Sequence, residues 1–276
     1  MRQLANMSSG ILGYTANTQF QQELFGDPTS GHPRRSSSSC AARLRTSRRT
    51  RGWEYSNTNY VLLDTVIEQV TGQPIADVYE ERIFGPLGND ADHLPDRDRR
   101  HRRPHLYGIS NENQPAGKTI VTTDWSPSAA FTAREIISTL DDLTKWGEAP
   151  FTGEGILEPA AQQPRRDSII YGIPPANSPT AGYGIGIGNR DGWWGHDGDI
   201  PCYTTVLFHN YDIGTTVVIA VNSDVPTTGT PPRIPRRSGI RRARARQFPA
   251  HRTAAGAGDH LLVTEHTSRL TVRAVL

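Results

Sequence analysis

Lysine is almost missing from this chain. Of 30 basic residues only Lys118 and Lys145 are lysines, and the other 28 are arginines. Surfaces shaped for solubility mix the two cations, and any serine–lysine pair has just these two amines to draw on. Cysteine is nearly absent as well. Cys40 and Cys202 stand far apart, which excludes a disulfide framework and leaves two unpaired thiols as the expectation. No run approaches the ~18 apolar residues of a membrane span. The first residues lack a basic stretch followed by an apolar one, so the chain as written reads as soluble and without an address. His196, His209 and the other histidines lack ligand spacing, so neither a metal nor a cofactor is expected.

What is present is uneven. Counting Gly and leaving out Tyr, the apolar share is about 41%, below the ~45–50% of globular domains. Part of the chain is therefore expected to stay out of a core. Seven arginines fall in 34–51, five in 97–103 and seven in 233–246. The blocks 30–51 and 89–103 carry no core periodicity and read as irregular, and 233–276 reads as a disordered or non-native tail. Residues 1–232 are left as one partial domain.

Between the arginine blocks the pattern is regular. Residues 2–7 read as a helix end closed by Ser8-Ser9-Gly10. Leu63, Val66, Ile67 and Val70 recur at helical spacing, and Gly72 and Pro74 end that helix and start the next. Residues 134–147 form another helix candidate, with Ser138 or Thr139 near its start and Leu143 and Trp146 on one face. Four runs over 182–222 read as an antiparallel meander with turns at 189–191, 197–199 and 210–214. The fold class expected is α+β, a reduced antiparallel sheet with helices against it.

Two clusters carry the chemistry. Trp53-Glu54-Tyr55-Ser56-Asn57-Thr58-Asn59-Tyr60 directly precedes the first long helix, and Trp194-Gly195-His196-Asp197-Gly198-Asp199-Ile200-Pro201 lies on and after a strand. Taken alone, Tyr-x-Asn is more simply a helix cap with a packed ring, and His-Asp-Gly is more simply a hairpin turn.

Their setting adds information. The succession LANMSSGI, GWEYSNTNYVLLDTVIEQVTGQPIADVYEERIFGPLG, STLDDLTKWG, GYGIGIG, GWWGHDGDIP and VVIAVNSD resembles the class C beta-lactamase and D-alanyl-D-alanine carboxypeptidase-related serine hydrolases, over about 160–180 of the 276 residues. The resemblance implies a beta-lactamase/transpeptidase-like fold and hydrolysis of an amide or ester through an acyl-serine. It makes Tyr55 the base or proton shuttle beside the nucleophile and Asn57 the side-chain amide that holds the substrate. His196-Asp197-Gly198 takes the place of the Lys-Thr-Gly strand motif, with His196 as a partly cationic group and Gly198 leaving room for the substrate backbone. Asp199 would lend its N–H to the oxyanion hole. The family's members are often exported or associated with the cell envelope.

The family's nucleophile, in Ser-x-x-Lys, has no counterpart here. Pro115 and Asp142 stand three residues before the two lysines. The sequence therefore reads as an N-terminally truncated member, inactive as written. Other departures are Thr50-Arg51 in the approach to Tyr-x-Asn, Arg134 for a small residue, Cys202 for glycine, and an arginine run where a last helix is expected. The arginine blocks read as family segments translated in a shifted frame. Two alternatives stay open: a non-catalytic protein binding peptidoglycan-like peptides or partner proteins, and an arginine-rich nucleic-acid binder. A net charge of +2 and the lack of interleaved aromatics weigh against the second. A small-molecule or peptide substrate is the partner expected, with no nucleic acid and no membrane span.

Overall fold

The computed structural model describes residues 1–16, 53–94, 105–111, 114–123, 136–152, 156–173, 177–225 and 271–273, together with Gln22, Trp125 and Ala133. Cys40, Arg134, the block 30–51, residues 95–103 and the arginine run of 233–246 lie outside the described residues.

A five-stranded antiparallel sheet forms the floor of the site. Its strands are β4 (Ala181–Tyr183), β5 (Gly188–Arg190), β6 (Trp193–Ile200), β7 (Tyr203–Asn210) and β8 (Thr215–Val221), paired in chain order. This is the meander expected from 182–222, with two of its three turns displaced. The expected turn at Asp197-Gly198-Asp199 is strand: β6 runs on to Ile200 and pairs Asp197 with Val206, Gly198 with Thr205 and Asp199 with Thr204. An Asp-Gly pair favours turns locally, but here eight consecutive pairs to β7 outweigh that preference. The reversal comes at Pro201-Cys202 instead, where Cys202 takes φ 78°, the left-handed conformation that suits glycine. The first turn is likewise displaced to Asp191-Gly192, since Asn189 and Arg190 belong to β5. The third falls where expected: Tyr211–Ile213 form a 3-10 turn, with Asn210 Oδ1 accepting from the Asp212 amide at 3.0 Å.

The helices precede the sheet in the chain, and Leu140–Thr152 packs directly on it. The first, α1 (Arg2–Ala5), is short; α2 (Asn57–Thr71) follows the Tyr-x-Asn loop and ends at Gly72, and α3 (Ile75–Tyr79) starts after Pro74 and runs through a π-turn at Glu80–Phe84 into α4 (Gly85–Leu87). The buried face of α2 is not the expected one. Asn57, Thr58, Asn59, Val61 and Asp64 are buried, whereas Val70 is 80% exposed. The first turns of α2 are held under α1 and the 3-10 turn Tyr14–Ala16: the Tyr60 hydroxyl donates to the Ala5 carbonyl at 2.8 Å, and Thr58 Oγ1 accepts from the Tyr14 amide at 3.0 Å.

Two small sheets complete the frame. In one, β1 (Ile109–Ser110) pairs with β2 (Ile120–Val121), and Ile109 bridges to Ser223 beyond β8. In the other, β3 (Ile137–Thr139) pairs with β9 (Thr271–Arg273), so three residues of the expected tail form a strand. Helix α5 (Leu140–Thr152) follows β3, and Thr139 Oγ1 caps it by accepting from the Asp142 amide at 3.1 Å. It packs on β7 and β8 at Gly147, where a Cβ would come within 2.7 Å of Leu207 and Thr216. A further helix, α6 (Pro159–Arg166), has no counterpart in the sequence reading. The start of the 89–103 block also departs from expectation. Asn89 and Asp92 are buried at 1% and 7% exposure, and His93 pairs with Ile137.

Candidate active site

The two motifs meet. The loop entering α2 places the Tyr55 ring 6.0 Å from the His196 ring and 6.1 Å from the Tyr183 ring, centroid to centroid. Tyr55, Asn57 and His196 line one cavity of about 250 Å³, beside Tyr60, Tyr183 and Gly195. Tyr55 is 40% exposed. Asn57 is buried, and its Nδ2 donates to Thr15 Oγ1 at 3.2 Å, so one of its protons is held by the protein.

Along β6 the motif residues alternate. Strand β5 pairs with β6 only as far as Gly195, opposite Gly188. Beyond that point no described strand continues on the side away from β7. In an antiparallel ladder successive residues turn their amides to opposite sides. Gly195 faces β5, so Asp197 and Asp199 turn theirs to the same, uncovered side. Gly195 itself cannot be replaced without moving the strand, since a Cβ there would come within 2.0 Å of the Leu207 carbonyl oxygen. Gly198 lies opposite the fully buried Thr205. The side chains of the two aspartates are engaged: Asp197 Oδ1 lies 3.7 Å from the Arg190 guanidinium and 4.0 Å from His196 Nδ1, and Asp199 Oδ1 accepts from Thr204 Oγ1 at 3.2 Å.

Tyr183 and Tyr60 were not singled out by the sequence, yet they orient His196. The Nε2 atom of His196 lies 3.0 Å from the Tyr183 hydroxyl, and Nδ1 faces the Asp197 carbonyl. Tyr183 in turn hydrogen-bonds Tyr60. Burial pushes the Tyr60 phenol up to about 12 and the Tyr183 phenol well above its ordinary value. Both are therefore neutral hydroxyls at physiological pH. Arg165 closes the same cavity from α6, its guanidinium donating to the Pro150 carbonyl at 2.7 Å and the Ile185 carbonyl at 3.2 Å. Burial lowers its basicity, although it remains charged.

The serines near the motif are otherwise occupied or enclosed. Ser8 Oγ donates to Asn6 Oδ1 and Ser9 Oγ to Asn59 Oδ1, both at 2.7 Å. Ser56 is fully buried. The Lys145 ammonium bonds Asp142 Oδ1 at 2.9 Å and the Gly88 carbonyl. Among the described residues no cluster of His, Cys, Asp and Glu is arranged to hold a metal ion. No helix among them is long and apolar enough to cross a membrane.

An antiparallel sheet under a helical layer, with a Tyr-x-Asn loop facing a strand edge, defines the beta-lactamase/transpeptidase-like fold class. The beta-lactamase family model matches residues 1–239, and the chain belongs to that family. It is similar to a D-aminopeptidase of Cereibacter sphaeroides, 27% identical over 237 residues, which is 81% of this chain and 42% of the relative. Among solved structures it resembles a D-stereospecific amidohydrolase from Streptomyces sp., with a TM-score of 0.71 and 28% identity over 81% of this chain and 67% of that one. It also resembles the D-amino acid amidase of Ochrobactrum anthropi SV3 complexed with D-phenylalanine, with a TM-score of 0.65 and 25% identity over 82% of this chain and 66% of that one. The chain spans less than half the length of the curated D-aminopeptidases it matches.

Proposed function

We propose that this chain carries the substrate cleft of a serine hydrolase acting on amide bonds at D-amino acid residues and has no acylating serine of its own. The observation that supports this is the meeting of Tyr55 and His196 across one cavity, 6.0 Å apart, beside a strand edge. In this reading the substrate lies along β6 at His196-Asp197-Gly198-Asp199. The Asp199 amide stabilises the oxygen of the reacting carbonyl. Asn57 offers its remaining amide proton to the substrate, and Tyr55 carries a proton between nucleophile and leaving amine. His196 supplies positive charge to the carboxylate end.

Acyl-serine formation needs a hydroxyl that attacks the carbonyl and a nearby base that accepts its proton. The 276 residues contain no Ser-x-x-Lys, and the structure engages or encloses Ser8, Ser9 and Ser56. Binding without turnover is the outcome expected of this chain. The test pairs calorimetry of D-phenylalanine amide and a D-Ala-D-Ala peptide with labelling by a fluorescent penicillin. Binding of either ligand, weakened at least tenfold by Tyr55→Ala with no penicillin label, supports the reading. Covalent labelling would overturn the missing nucleophile, and failure of both ligands to bind would overturn the cleft.

A further inference from the structure

The cavity behind Tyr55 and His196 runs on past the two motifs to a cation that the hydrolase reading does not use. Leu143 and Trp146 of α5 line it together with Phe84 and Leu207, and Arg165 of α6 stands on its wall. Two backbone carbonyls fix the guanidinium there. Nη1 donates to the Pro150 carbonyl at 2.7 Å and Nε to the Ile185 carbonyl at 3.2 Å. Pro150 and Gly186, which follows Ile185, are themselves part of the cavity wall, as are Tyr60 and Tyr183. The charged end of Arg165 is therefore held among residues that face the cavity.

What Arg165 lacks is a counter-charge. Among the described residues no carboxylate lies within ion-pair distance of it. The ionisable groups that bear on its charge are Tyr211, Tyr60 and Tyr183, and burial raises all three phenols and keeps them neutral at physiological pH. The carboxylate that does line the cavity, Asp92, belongs to its other end. Asn89 links it to the Asp142 carbonyl, and eight residues of α5 separate Asp142 from Pro150, roughly 12 Å along the helix. A guanidinium has five N–H donors, and the two carbonyls take one each. Nη2 has no partner among the described residues and is open to water. Arg165 is thus half-buried, fixed in direction and uncompensated. A carboxylate matches such a group best, because its two oxygens fit the planar fork of donors and its charge offsets the cation held partly out of water.

We propose that Arg165 is an anion seat, and that the cavity takes a ligand whose apolar body lies along Leu143 and Trp146 and ends in a carboxylate on the guanidinium. A cavity of about 250 Å³ equals roughly eight waters' share of liquid volume, room for a small phenylalkanoate. As a substrate determinant the seat rests on the hydrolase reading, and it then selects amides whose acyl side carries an apolar chain ending in a carboxylate. As a binding site it stands without that reading.

The test uses 3-phenylpropanoate and its uncharged counterpart 3-phenylpropanol, titrated into the full chain at pH 7.5 and one ionic strength and followed by calorimetry and by nitrogen-15 NMR. The carboxylate is expected to bind about ten- to a hundredfold more tightly than the alcohol, the range of a charge-assisted hydrogen bond, and to shift the Arg165 Nε–H signal where the alcohol does not. Arg165→Met, checked for a native circular dichroism spectrum, is expected to remove the preference and leave alcohol binding unchanged. His196→Gln, which removes the other side chain of the cavity able to carry positive charge, is expected to keep it. Equal affinity for the two ligands, no binding of the carboxylate, an unmoved Arg165 signal, a preference that survives in Arg165→Met or one lost in His196→Gln would overturn the seat. The affinity comparison and the Arg165 signal need only the wild-type protein, so a variant that fails to fold does not rescue the proposal. Neither ligand has a bond to cleave, and D-phenylalanine amide has no carboxylate, so the seat and the hydrolase reading can fail separately.

Discussion

The Nε2 atom of His196 lies 3.0 Å from the hydroxyl of Tyr183, and this contact is one link in a chain with a backbone carbonyl at each end. His196 Nδ1 faces the Asp197 carbonyl, Tyr183 bonds Tyr60, and Tyr60 donates to the Ala5 carbonyl. Carbonyls only accept. Four links between two acceptors require four protons, and a neutral imidazole with two phenols supplies three. The chain is complete only when His196 carries a proton on both ring nitrogens. Asp197 Oδ1, 4.0 Å from Nδ1, favours the same state, while Arg190 beside that carboxylate opposes it.

The first prediction follows from this count. Tyr183→Phe or Tyr60→Phe removes two of the four links and lets a neutral ring satisfy what remains. Nitrogen-15 NMR of the His196 ring is expected to show the second proton retained to higher pH in the wild type than in either variant. Each variant is also expected to lose about 1–3 kcal/mol of stability, the net worth of two hydrogen bonds. Identical ring titrations in all three proteins would disprove the chain.

The second prediction concerns the end of the sheet where β6 turns into β7. Asp224, just after β8, accepts from Ser110 Oγ at 2.7 Å, from the Cys202 amide at 2.8 Å and from the Asn111 amide at 3.3 Å. One carboxylate thus ties β1 to the β6–β7 hairpin. The Cys202 backbone needs that tie most, since it holds φ 78° without being glycine, a conformation costing roughly 1 kcal/mol or more. Asp224→Ala is expected to destabilise the fold by about 2–3 kcal/mol in urea denaturation, because it strands buried donors. Asp224→Asn keeps the acceptor oxygen and is expected to lose less. A loss under about 0.5 kcal/mol for the alanine variant, the range of a neutral surface change, would show that the clamp carries no load.

Much of this architecture is readable from short-range signals. The break at Gly72-Pro74 and the turn after Asn210 each depend on a few adjacent residues and are found where the sequence places them, whereas the helix expected over 134–147 begins only at Leu140, with 137–139 taken into β3. The convergence of Tyr55 and His196 was readable only through family resemblance, since 141 positions separate them. What escaped depends on partners distant in sequence. The residues Asp197-Gly198-Asp199 look like a turn until Thr204, Thr205 and Val206 lie beside them. Val70 fits the apolar spacing of α2 but lies on a turn that nothing described covers. Helix α6 is built from Pro-Ala-Ala-Gln-Gln-Pro-Arg-Arg, which has no apolar stripe. Asp92 stands in a block that reads as irregular, yet it is 7% exposed because β3 and α5 close over it.

That burial gives the third prediction. Loss of solvent raises the Asp92 carboxyl from 3.8 to about 6, with the nearby Asp142 adding to the effect and Ser138, Asn89 and Lys145 opposing it. The folded state therefore binds this proton more tightly than the unfolded chain does. The contribution of Asp92 to stability is fully present below about pH 4 and is lost as pH rises through about 6. That difference corresponds to on the order of 3 kcal/mol. Asp92→Asn has no charge to bury and keeps a partner for Asn89. Its stability relative to the wild type is expected to be near zero at pH 4 and to grow to about 2–3 kcal/mol in its favour by pH 7.5. Urea denaturation of the two proteins across that range measures the difference directly. A constant difference with pH would mean that Asp92 is hydrated or paired in solution. A wild type that gained stability over the variant with rising pH would reverse the sign of the desolvation argument.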